Sequence, residues 1–464
     1  MLELLERQQT LTGNQRRIVF AAILGDALEF FDYFVIGFVL AFIVGPWHLT
    51  FGQFAVIFLS SGVGAIAGAY IWGWAADQIG RRKVFIATVL NFALASGVLA
   101  LTPEGGWIFL SVFRFVVGFG VGGLYCVDMP LVQEFVPSSK RGRIGGIVTA
   151  AIPLGIGIGA VLGAFLAPYI GWRGLFLVGV LPALLTLLIR VWVPESPRWL
   201  MRMGRFEDAR KSLAWALEMD PKDIEVTTVA GERKHVPWTE LFKYPRSLAV
   251  SWLGNLGAQT GVYGLILWLP TLFVQVLGIT PPEASKLMIT VTVGGFVGRL
   301  CFSYLSDAIG RRASGGLFGL GAAVMLALTA YLHDVFIGTV SVFWLLTIGA
   351  NFFADGGFAI VGPYAAEVWP AGLRASGMGS AYGFGGLGKI IGPLGLALIA
   401  GSSNIVTPAA SVALIVPAFL YLGGWELLTG IVYYFIGFET KGRTFEQLDK
   451  ELGEPLVERK AVTT

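Results

Sequence analysis

Twelve apolar runs, each long enough to cross a lipid bilayer, constrain this chain more than any other feature of its sequence. A spanning helix needs about 20 mainly apolar residues, and an open, irregular backbone is not tolerated in lipid. We therefore predict an all-α integral membrane protein with twelve transmembrane helices, numbered span 1 to span 12. The runs fall near residues 18–44, 52–76, 84–103, 107–133, 144–168, 173–193, 248–276, 284–306, 313–332, 337–363, 376–400 and 409–437.

The composition agrees with a membrane protein and excludes several other classes. The chain is 55% hydrophobic and only 14% charged, whereas soluble domains carry about 25% charged residues. A net charge of +3 is too small to indicate a nucleic-acid partner. Both cysteines, Cys126 and Cys301, lie in apolar stretches, so no disulfide framework is implied. The sequence contains no Walker motif, metal-ligand cluster or Ser-His-Asp set, and we expect neither an enzyme nor a cofactor.

The distribution of basic residues orients the spans. Of the 33 Lys and Arg residues, 27 fall in the N-terminus, the C-terminus and the alternate loops 2–3, 4–5, 6–7, 8–9 and 10–11. The positive-inside rule then places both termini and the long middle loop in the cytoplasm. We expect a multi-pass protein of the inner (plasma) membrane.

An internal repeat predicts the arrangement of the spans. "PLVQEFVPSSKR" (130–141) and "PYAAEVWPAGLR" (363–374) share the pattern P-x3-E-x2-P-x3-R, and "GWAADQIGRRK" is matched by "SYLSDAIGRR". The two six-span halves are therefore predicted to be copies in parallel orientation, with the substrate site near the midplane between them. The predicted domains are 1–193, an N-terminal six-helix bundle; 194–247, a cytoplasmic linker with short amphipathic helices; 248–438, a C-terminal six-helix bundle; and 439–464, a cytoplasmic tail.

Four motifs resemble those of the major facilitator superfamily. They are the loop signature Gly73-x3-Asp77-x2-Gly80-Arg81-Arg82-Lys83, the span 4 run Arg114-x3-Gly118-x-Gly120-x-Gly122, "PESPRWL" (194–200) and "ETKGRT" (439–444). The last two are similar to motifs of the sugar porters and the related organic-ion transporters. The resemblance covers essentially the whole chain, and it implies two pseudo-symmetric six-helix bundles that carry out secondary transport.

Span 7 separates this chain from the sugar porters that it resembles. Its "GAQTGVY" stretch puts Gly257, Ala258 and Tyr263 where sugar porters carry hydrogen-bonding amides, so a sugar is disfavoured. "YGLILWLPTLF" (263–273) and "VDMPLVQEFVP" (127–137) are more similar to bacterial metabolite:proton symporters related to nicotinate permeases.

The resemblance also implies a cytoplasmic charge network that gates transport and does not contact substrate. Such a network would stabilise one conformation and would have to break for the protein to open inward. Its members here are Asp77, Arg81, Glu134 and Arg141 in the first half, and Asp307, Arg311, Glu367 and Arg374 in the second.

Three carboxylates interrupt span 1 within "GDALEFFDYF" (25–34). Asp26, Glu29 and Asp32 are three residues apart, so they form a slanting stripe on one helix face that must point away from lipid. By the resemblance, Asp32 is the proton-coupling carboxylate and Arg114 its span 4 partner, with Glu29 as the second choice. The alternative is a permanent structural ion pair between Asp32 and Arg114.

A lysine also lies in the middle of the apolar span 11. Lys389, within "GFGGLGKIIGPLG", is predicted to be the counter-charge of an anionic substrate; the alternative is pairing with a buried acid such as Asp355 or a carboxylate of the first half. For Arg299 and Asp355 we favour structural or gating pairs. The remaining predicted substrate-binding residues are Tyr263, Tyr382, Gln259, Tyr33, Trp268 and Asp128.

These features predict a proton-coupled symporter of a small organic metabolite that works by alternating access. A basic residue in span 11 and aromatic candidates for the cavity favour an aromatic or other small carboxylate, such as nicotinate or a benzoate. Its partners would be the substrate, protons and the lipid bilayer, and we expect a monomer. The rival predictions are an organic cation or drug:proton antiporter and a transport-dead membrane metabolite sensor.

Overall fold

A computed structural model describes residues 3–125, 127–184, 193–225, 238–370, 373–443 and 447–448 of the chain. The first-half spans are Gly13–Ile43, Phe51–Ile79, Arg81–Leu99, Trp107–Tyr125 with Asp128–Phe135, and a run of Ser138–Thr149, Ala151–Val161, the π-helical Leu162–Leu166 and Ala167–Val178. The second-half spans are Pro245–Leu277, Pro281–Ile309, Arg311–Tyr331, Val342–Gly356 with Phe358–Glu367, Arg374–Gly385 with Gly388–Ala400, and Pro408–Ile431 with the π-helical Val432–Ile436.

Short elements complete the described part of the chain. The helices are Glu3–Glu6, Pro197–Arg202 and Phe206–Leu217, with 3-10 turns at Pro221–Asp223 and Trp238–Lys243. A two-stranded antiparallel ribbon pairs Phe336–Ile337 with Val340–Ser341 in the loop between spans 9 and 10.

The all-α membrane fold predicted from the sequence is confirmed. Among the described residues, ten helices are long and apolar enough to cross a membrane. The helix Gly13–Ile43 is not among them, and it carries the span 1 carboxylates. The segment Ile147–Leu184 is counted as one of the ten helices, although it contains both span 5 and the start of span 6. Gly171, with a non-helical φ of 68°, separates the two. With these two corrections the helices match the twelve predicted spans.

Residue contacts group the chain into two compact units. The first comprises Met1–Glu232, Gly264–Phe296 and Ile390–Ala418, and the second comprises Arg233–Tyr263, Val297–Lys389 and Phe419–Thr464. The four sequence domains predicted above stay a prediction.

In the first unit, spans 2 and 4 pack backbone to backbone. A Cβ atom built on Gly118 would lie 2.0 Å from the carbonyl oxygen of Ser61, and one on Gly122 would lie 2.0 Å from that of Ala65. The same holds in the other direction, because a Cβ on Gly64 would lie 2.1 Å from the Phe115 carbonyl oxygen. Small residues allow such close approach between membrane helices, and this explains the glycines of the span 4 motif.

We expect Gly118→Ala to destabilise the protein by about 1–3 kcal/mol, because the added methyl group overlaps the backbone of span 2, which is not free to move. The measurement is the thermal melting temperature of the purified protein in detergent. Gly73→Ala is the matched control, since a Cβ there meets no atom within 4 Å. Equal melting temperatures for the two variants would contradict the close packing of spans 2 and 4.

At one end of the first unit, loop 1–2 is joined to loop 11–12 by main-chain hydrogen bonds. The N–H of Phe51 donates to the carbonyl of Asn404 and that of Gly52 to the carbonyl of Ser402, both at 2.9 Å. The N–H of Val406 donates back to the carbonyl of Leu49 at 2.9 Å. Span 2 therefore begins at residues that a distant part of the sequence holds in place.

A polar cluster joins loop 1–2, loop 3–4 and the start of span 6. The indole N–H of Trp47 and the guanidinium of Arg173 each donate a hydrogen bond of 3.0 Å to Glu104. These two bonds lower the pKa of the exposed Glu104 carboxyl below its usual value. The Arg173 guanidinium also lies 4.2 Å from the ring centroid of Trp172.

The second unit has its own apolar core. Phe302, Phe318, Tyr364, Trp369 and Tyr433 are buried in one hydrophobic cluster. The rings of Tyr364 and Tyr433 meet edge to face, with centroids 5.2 Å apart. Such a ring pair stabilises the fold in addition to the burial of its apolar area. This core packs spans 8, 9, 10 and 12 against each other at one end.

Candidate functional site

The Asp32 carboxyl of span 1 is completely enclosed by protein. It is 0% exposed and accepts a hydrogen bond from the hydroxyl of Ser96 in span 3. Span 6 closes the other side, because a Cβ built on Gly179 would lie 2.8 Å from Asp32 Oδ1. The carboxyl is thus held at the meeting point of three helices.

Arg114, the predicted partner of Asp32, contacts the main chain of span 1. Its Nη1 donates to the carbonyl of Asp32 (2.9 Å), and its Nη2 donates to the carbonyl of Tyr33 (2.6 Å) and to Ser61 Oγ (3.1 Å). The guanidinium also lies 5.7 Å from the Tyr33 ring centroid. The donors of Arg114 are thus taken by main-chain carbonyls and Ser61, while the Asp32 carboxylate accepts from Ser96. The opposite charges still interact electrostatically.

The other two span 1 carboxylates are also inside the protein. Asp26 and Glu29 are buried. Span 5 packs on this part of span 1, because a Cβ on Gly155 would lie 2.3 Å from the carbonyl oxygen of Ala27. The stripe of acids therefore points into the bundle, as membrane energetics requires.

The first-half loop charges form a cluster around Arg81. Its Nη2 lies 3.0 Å from Asp77 Oδ1, and its Nε lies 3.8 Å from Glu134 Oε1. Arg202 of the linker adds a contact of 3.3 Å to Asp77. The side chain of Arg141 lies outside the described residues.

The second-half loop charges repeat this geometry around Arg311. The guanidinium lies 2.6 Å from Asp307 Oδ1 and 3.3 Å from Glu367 Oε2. Arg374 donates to the carbonyl of Trp369 at 3.2 Å. The internal repeat seen in the sequence is therefore also a repeat of side-chain contacts.

The structure gives a physical role to the glutamates of "PESPRWL" and "ETKGRT". Glu195 Oε1 accepts the backbone N–H of Arg82 (3.1 Å), at the start of span 3. Glu439 accepts the backbone N–H groups of Arg311 (2.9 Å) and Arg312 (3.2 Å), at the start of span 9. Each span follows a glycine with positive φ, Gly80 or Gly310. A carboxylate there satisfies free N–H groups and complements the helix dipole.

Arg299 of span 8 and Asp355 of span 10 form a buried, bidentate ion pair. Arg299 Nε donates to Oδ2 of Asp355 at 3.1 Å and Nη2 donates to Oδ1 at 2.8 Å. The guanidinium also lies 5.4 Å from the Phe358 ring centroid. This is the structural pair favoured above, and it occupies Asp355, one of the acids considered as an alternative partner of Lys389.

We expect Asp355→Ala to destabilise the protein by about 3–5 kcal/mol, because it leaves a buried guanidinium without its anion. Thermal melting in detergent measures the loss. The double variant Arg299→Met/Asp355→Leu is expected to recover most of it, since no buried charge remains. Glu104→Gln breaks the exposed contact with Arg173 and is expected to cost at most about 1 kcal/mol. A double variant no more stable than Asp355→Ala would contradict this reasoning.

Lys389 lies over an aromatic ring in the second unit. Its Nζ is 4.9 Å from the ring centroid of Tyr263 in span 7, and the side chain is half-buried. Glycines bring the two spans together here, because a Cβ on Gly388 would lie 2.6 Å from the backbone nitrogen of Thr260. An ammonium group and a π face, a pair worth about 0.5–2 kcal/mol, thus lie side by side in an otherwise apolar segment.

Two further predicted residues lie on the same pair of spans. Gln259 is buried in span 7, and its Nε2 would be 2.5 Å from a Cβ on Gly385 of span 11. Tyr382 of span 11 is half-buried, with its hydroxyl 3.0 Å from the Cβ position of Gly362 in span 10. Lys389, Tyr263, Gln259 and Tyr382 therefore all belong to the second unit.

Trp268 and Tyr33, two further predicted residues, belong to the first unit. Trp268 is fully buried among three phenylalanines of span 2, with ring centroids 5.8 Å from Phe51, 4.4 Å from Phe54 and 6.1 Å from Phe58. Tyr33 is buried beside Arg114. Substrate contact by either residue stays a prediction, as it does for Asp128, whose side chain lies outside the described residues.

Comparison with known proteins identifies the family. The family model for sugar (and other) transporters matches residues 18–452. The chain belongs to this family. It is a multi-pass membrane transporter of small metabolites and not an enzyme, and its place in the major facilitator superfamily is confirmed.

Similar proteins are known from several bacteria. The chain is 30% identical to the niacin transporter NiaP of Acinetobacter baylyi over 371 residues, which cover 78% of this chain and 82% of that protein. It is 28% identical to the 4-hydroxybenzoate transporter PcaK of Pseudomonas putida, covering 82% of this chain and 84% of the relative. The xylose transporter XylE of E. coli, in a partially occluded inward open conformation, matches with a TM-score of 0.71 and 20% identity over 93% of this chain and 100% of that one. This last likeness concerns the fold alone.

Two buried groups of this family member did not emerge from sequence reasoning. Ser96 is one of many hydroxyl residues in the spans, and nothing in its sequence context indicates that it donates to Asp32. Glu426 stands out in the sequence, since "GGWELLTG" places a carboxylate inside span 12, and the rule that exposed the span 1 acids applies to it equally. The structure buries it completely.

Proposed function

We propose that this transporter carries a small aromatic carboxylate, such as nicotinate or a benzoate, together with protons. The observation that carries the proposal is the Lys389 ammonium over the Tyr263 ring. The Lys389 side chain is half-buried, its positive charge attracts a carboxylate, and the adjacent aromatic face suits a flat ring. Relatives named for niacin and 4-hydroxybenzoate support it, because each of those compounds is a carboxylate on an aromatic ring.

Proton coupling is assigned to Asp32 in this proposal. A fully buried carboxylate with one hydroxyl donor is poorly compensated as an anion, so protonation favours the enclosed arrangement and ionisation favours one that admits water. Alternating access would couple these two states to substrate movement. The charge clusters around Arg81 and Arg311 would stabilise one of the two conformations. In this proposal both clusters and both termini face the cytoplasm, the protein lies in the plasma membrane, and it acts as a monomer.

The test is a two-step experiment on the purified protein. Thermal melting is first compared with and without nicotinate, benzoates, aliphatic carboxylates, organic cations and hexoses, since a ligand at 100 times its dissociation constant stabilises the folded state by about 2.7 kcal/mol. The stabilising compound is then supplied to proteoliposomes with an acidic outside. We expect stabilisation by aromatic carboxylates and accumulation that a protonophore abolishes. Stabilisation by carboxylates without gradient-driven accumulation would contradict the symport.

The rival function is export of an organic cation in exchange for protons. The buried carboxylates of span 1 favour it, because they could bind a cation directly. It predicts stabilisation by cations alone and no response to carboxylates. The sign of the stabilising ligand therefore separates the two functions in the first step of the experiment.

A further inference from the structure

Glu426 of span 12 is an acid to which the proposed mechanism gives no role. The residue is 0% exposed, and neither Oε1 nor Oε2 has a hydrogen-bond partner among the described residues. Buried carboxylates ordinarily accept several hydrogen bonds or pair with a cation. Its environment in the second unit therefore calls for an explanation.

The carboxyl points at the backbone of span 7. A Cβ built on Gly261 would lie 2.1 Å from Glu426 Oε1, and one on Gly257 would lie 2.2 Å from Thr429 Oγ1, one turn further along. Span 9 packs against the main chain of span 12 at the same level, because a Cβ on Gly319 would lie 2.6 Å from the main-chain carbonyl oxygen of Glu426. Gly261 of span 7 thus makes the space in which the carboxyl lies, between Gln259 and Tyr263 along the helix, and Gly257 makes the space for Thr429.

The elements packed against Glu426 supply no counter-charge. Span 7 from residue 247 to 277 and span 9 from residue 313 to 331 contain no acidic or basic residue. The ionisable groups there are phenols. Tyr263 lies on span 7, and Tyr421 and Tyr433 lie on span 12. The phenol of Tyr433 interacts electrostatically with Glu426 and with Tyr364 and Tyr382. This packing accommodates a neutral carboxylic acid far better than a carboxylate.

We propose that Glu426 is a second proton-binding site, which holds a proton while span 7 is packed against span 12 and releases it when they separate. The reaction is the addition of a proton from hydronium to the carboxylate, giving the acid and water, and its reversal on release. A metal cation would need several ligands, and among the described residues no group of three or more His, Cys, Asp or Glu side chains could supply them. The inference rests on the proposed proton-coupled function. It adds to the proton site on span 1 a second one on span 12, beside the part of span 7 that carries Gln259 and Tyr263.

The protonation of this group is measured by infrared difference spectroscopy of the reconstituted protein across an acid-to-alkaline titration. We expect a carbonyl stretch of a protonated carboxylic acid that disappears at alkaline pH, persists in Asp32→Asn and is absent in Glu426→Gln. Glu426→Asp shifts the band, so it serves if the glutamine variant fails to fold. The control is Gly424→Ala, where a Cβ meets no atom within 4 Å. A band that does not titrate, or that Glu426→Gln leaves unchanged, overturns the proposal.

Proton uptake on addition of nicotinate, read with a pH-sensitive dye, tests the link to transport. The expected result is one proton fewer per nicotinate in Glu426→Gln than in the unmodified protein. An unchanged ratio overturns the coupling role of Glu426. If the band titrates but the protein takes up no protons with any carboxylate, the symport proposal is wrong. The assignment of Glu426 as a proton-binding site would still hold.

Discussion

Asp32→Asn is expected to reduce proton-driven accumulation of the substrate carboxylate to the level of protein-free liposomes, while exchange of labelled for unlabelled substrate continues. Asparagine preserves the volume and the hydrogen bond from Ser96, but it cannot bind and release a proton. The enclosed and open arrangements then no longer differ in protonation, so a proton gradient cannot drive the change from one to the other. The measurement is uptake with and without an imposed pH gradient, beside counterflow at equal pH.

Asp26→Asn is the matched control for this experiment. It neutralises an acid of the same helix with similar burial, and we expect accumulation to persist. Glu29→Gln tests the second candidate for the coupling carboxylate. Loss of accumulation in Glu29→Gln with full accumulation in Asp32→Asn would move the coupling site one turn along span 1.

Lys389→Ala is expected to weaken carboxylate binding more than tenfold, which corresponds to a loss of more than about 1.4 kcal/mol. The variant removes the positive charge next to Tyr263, and no other Lys or Arg lies in the sequence of span 11 between residues 376 and 400. Binding of labelled nicotinate to the purified protein, as a function of salt concentration, gives the affinity and its electrostatic part.

Lys286→Ala provides a control of the same chemistry. Lys286 also lies near an aromatic ring, with its Nζ 5.9 Å from the Phe165 centroid, but at the beginning of span 8. We expect its removal to leave carboxylate affinity unchanged. If the two lysine variants bind nicotinate equally well, Lys389 is not the counter-ion and the anionic substrate loses its main support.

The fold followed from the sequence because membrane helices are specified by local composition. The length of each apolar run sets a span, and the two copies of P-x3-E-x2-P-x3-R reveal the internal repeat. The contacts of Arg81 with Asp77 and of Arg311 with Asp307 could also be predicted from the sequence, since each acid lies one helical turn from its arginine. Local spacing is enough for such contacts.

Contacts between distant helices could not be derived in the same way. Whether Arg114 meets the carboxylate of Asp32 or its carbonyl depends on the rotation and height of span 4 relative to span 1, and glycine contacts at Gly118 and Gly122 set these. A shift of a single residue along the helix would change the partner. The enclosure of Glu426 depends in the same manner on Gly261 of span 7.

The carboxylate caps of spans 3 and 9 bear on the order in which the protein is assembled during synthesis. Glu195 follows Arg82 by 113 residues, and Glu439 follows Arg311 by 128 residues. At roughly 5–20 residues per second, the start of span 3 has no cap for several seconds after it leaves the ribosome. The cap of span 3 therefore forms only when the segment beyond span 6 has been made, and the cap of span 9 only when the segment beyond span 12 has been made. A nascent chain that stops at residue 438 would have every span but an unfinished second half.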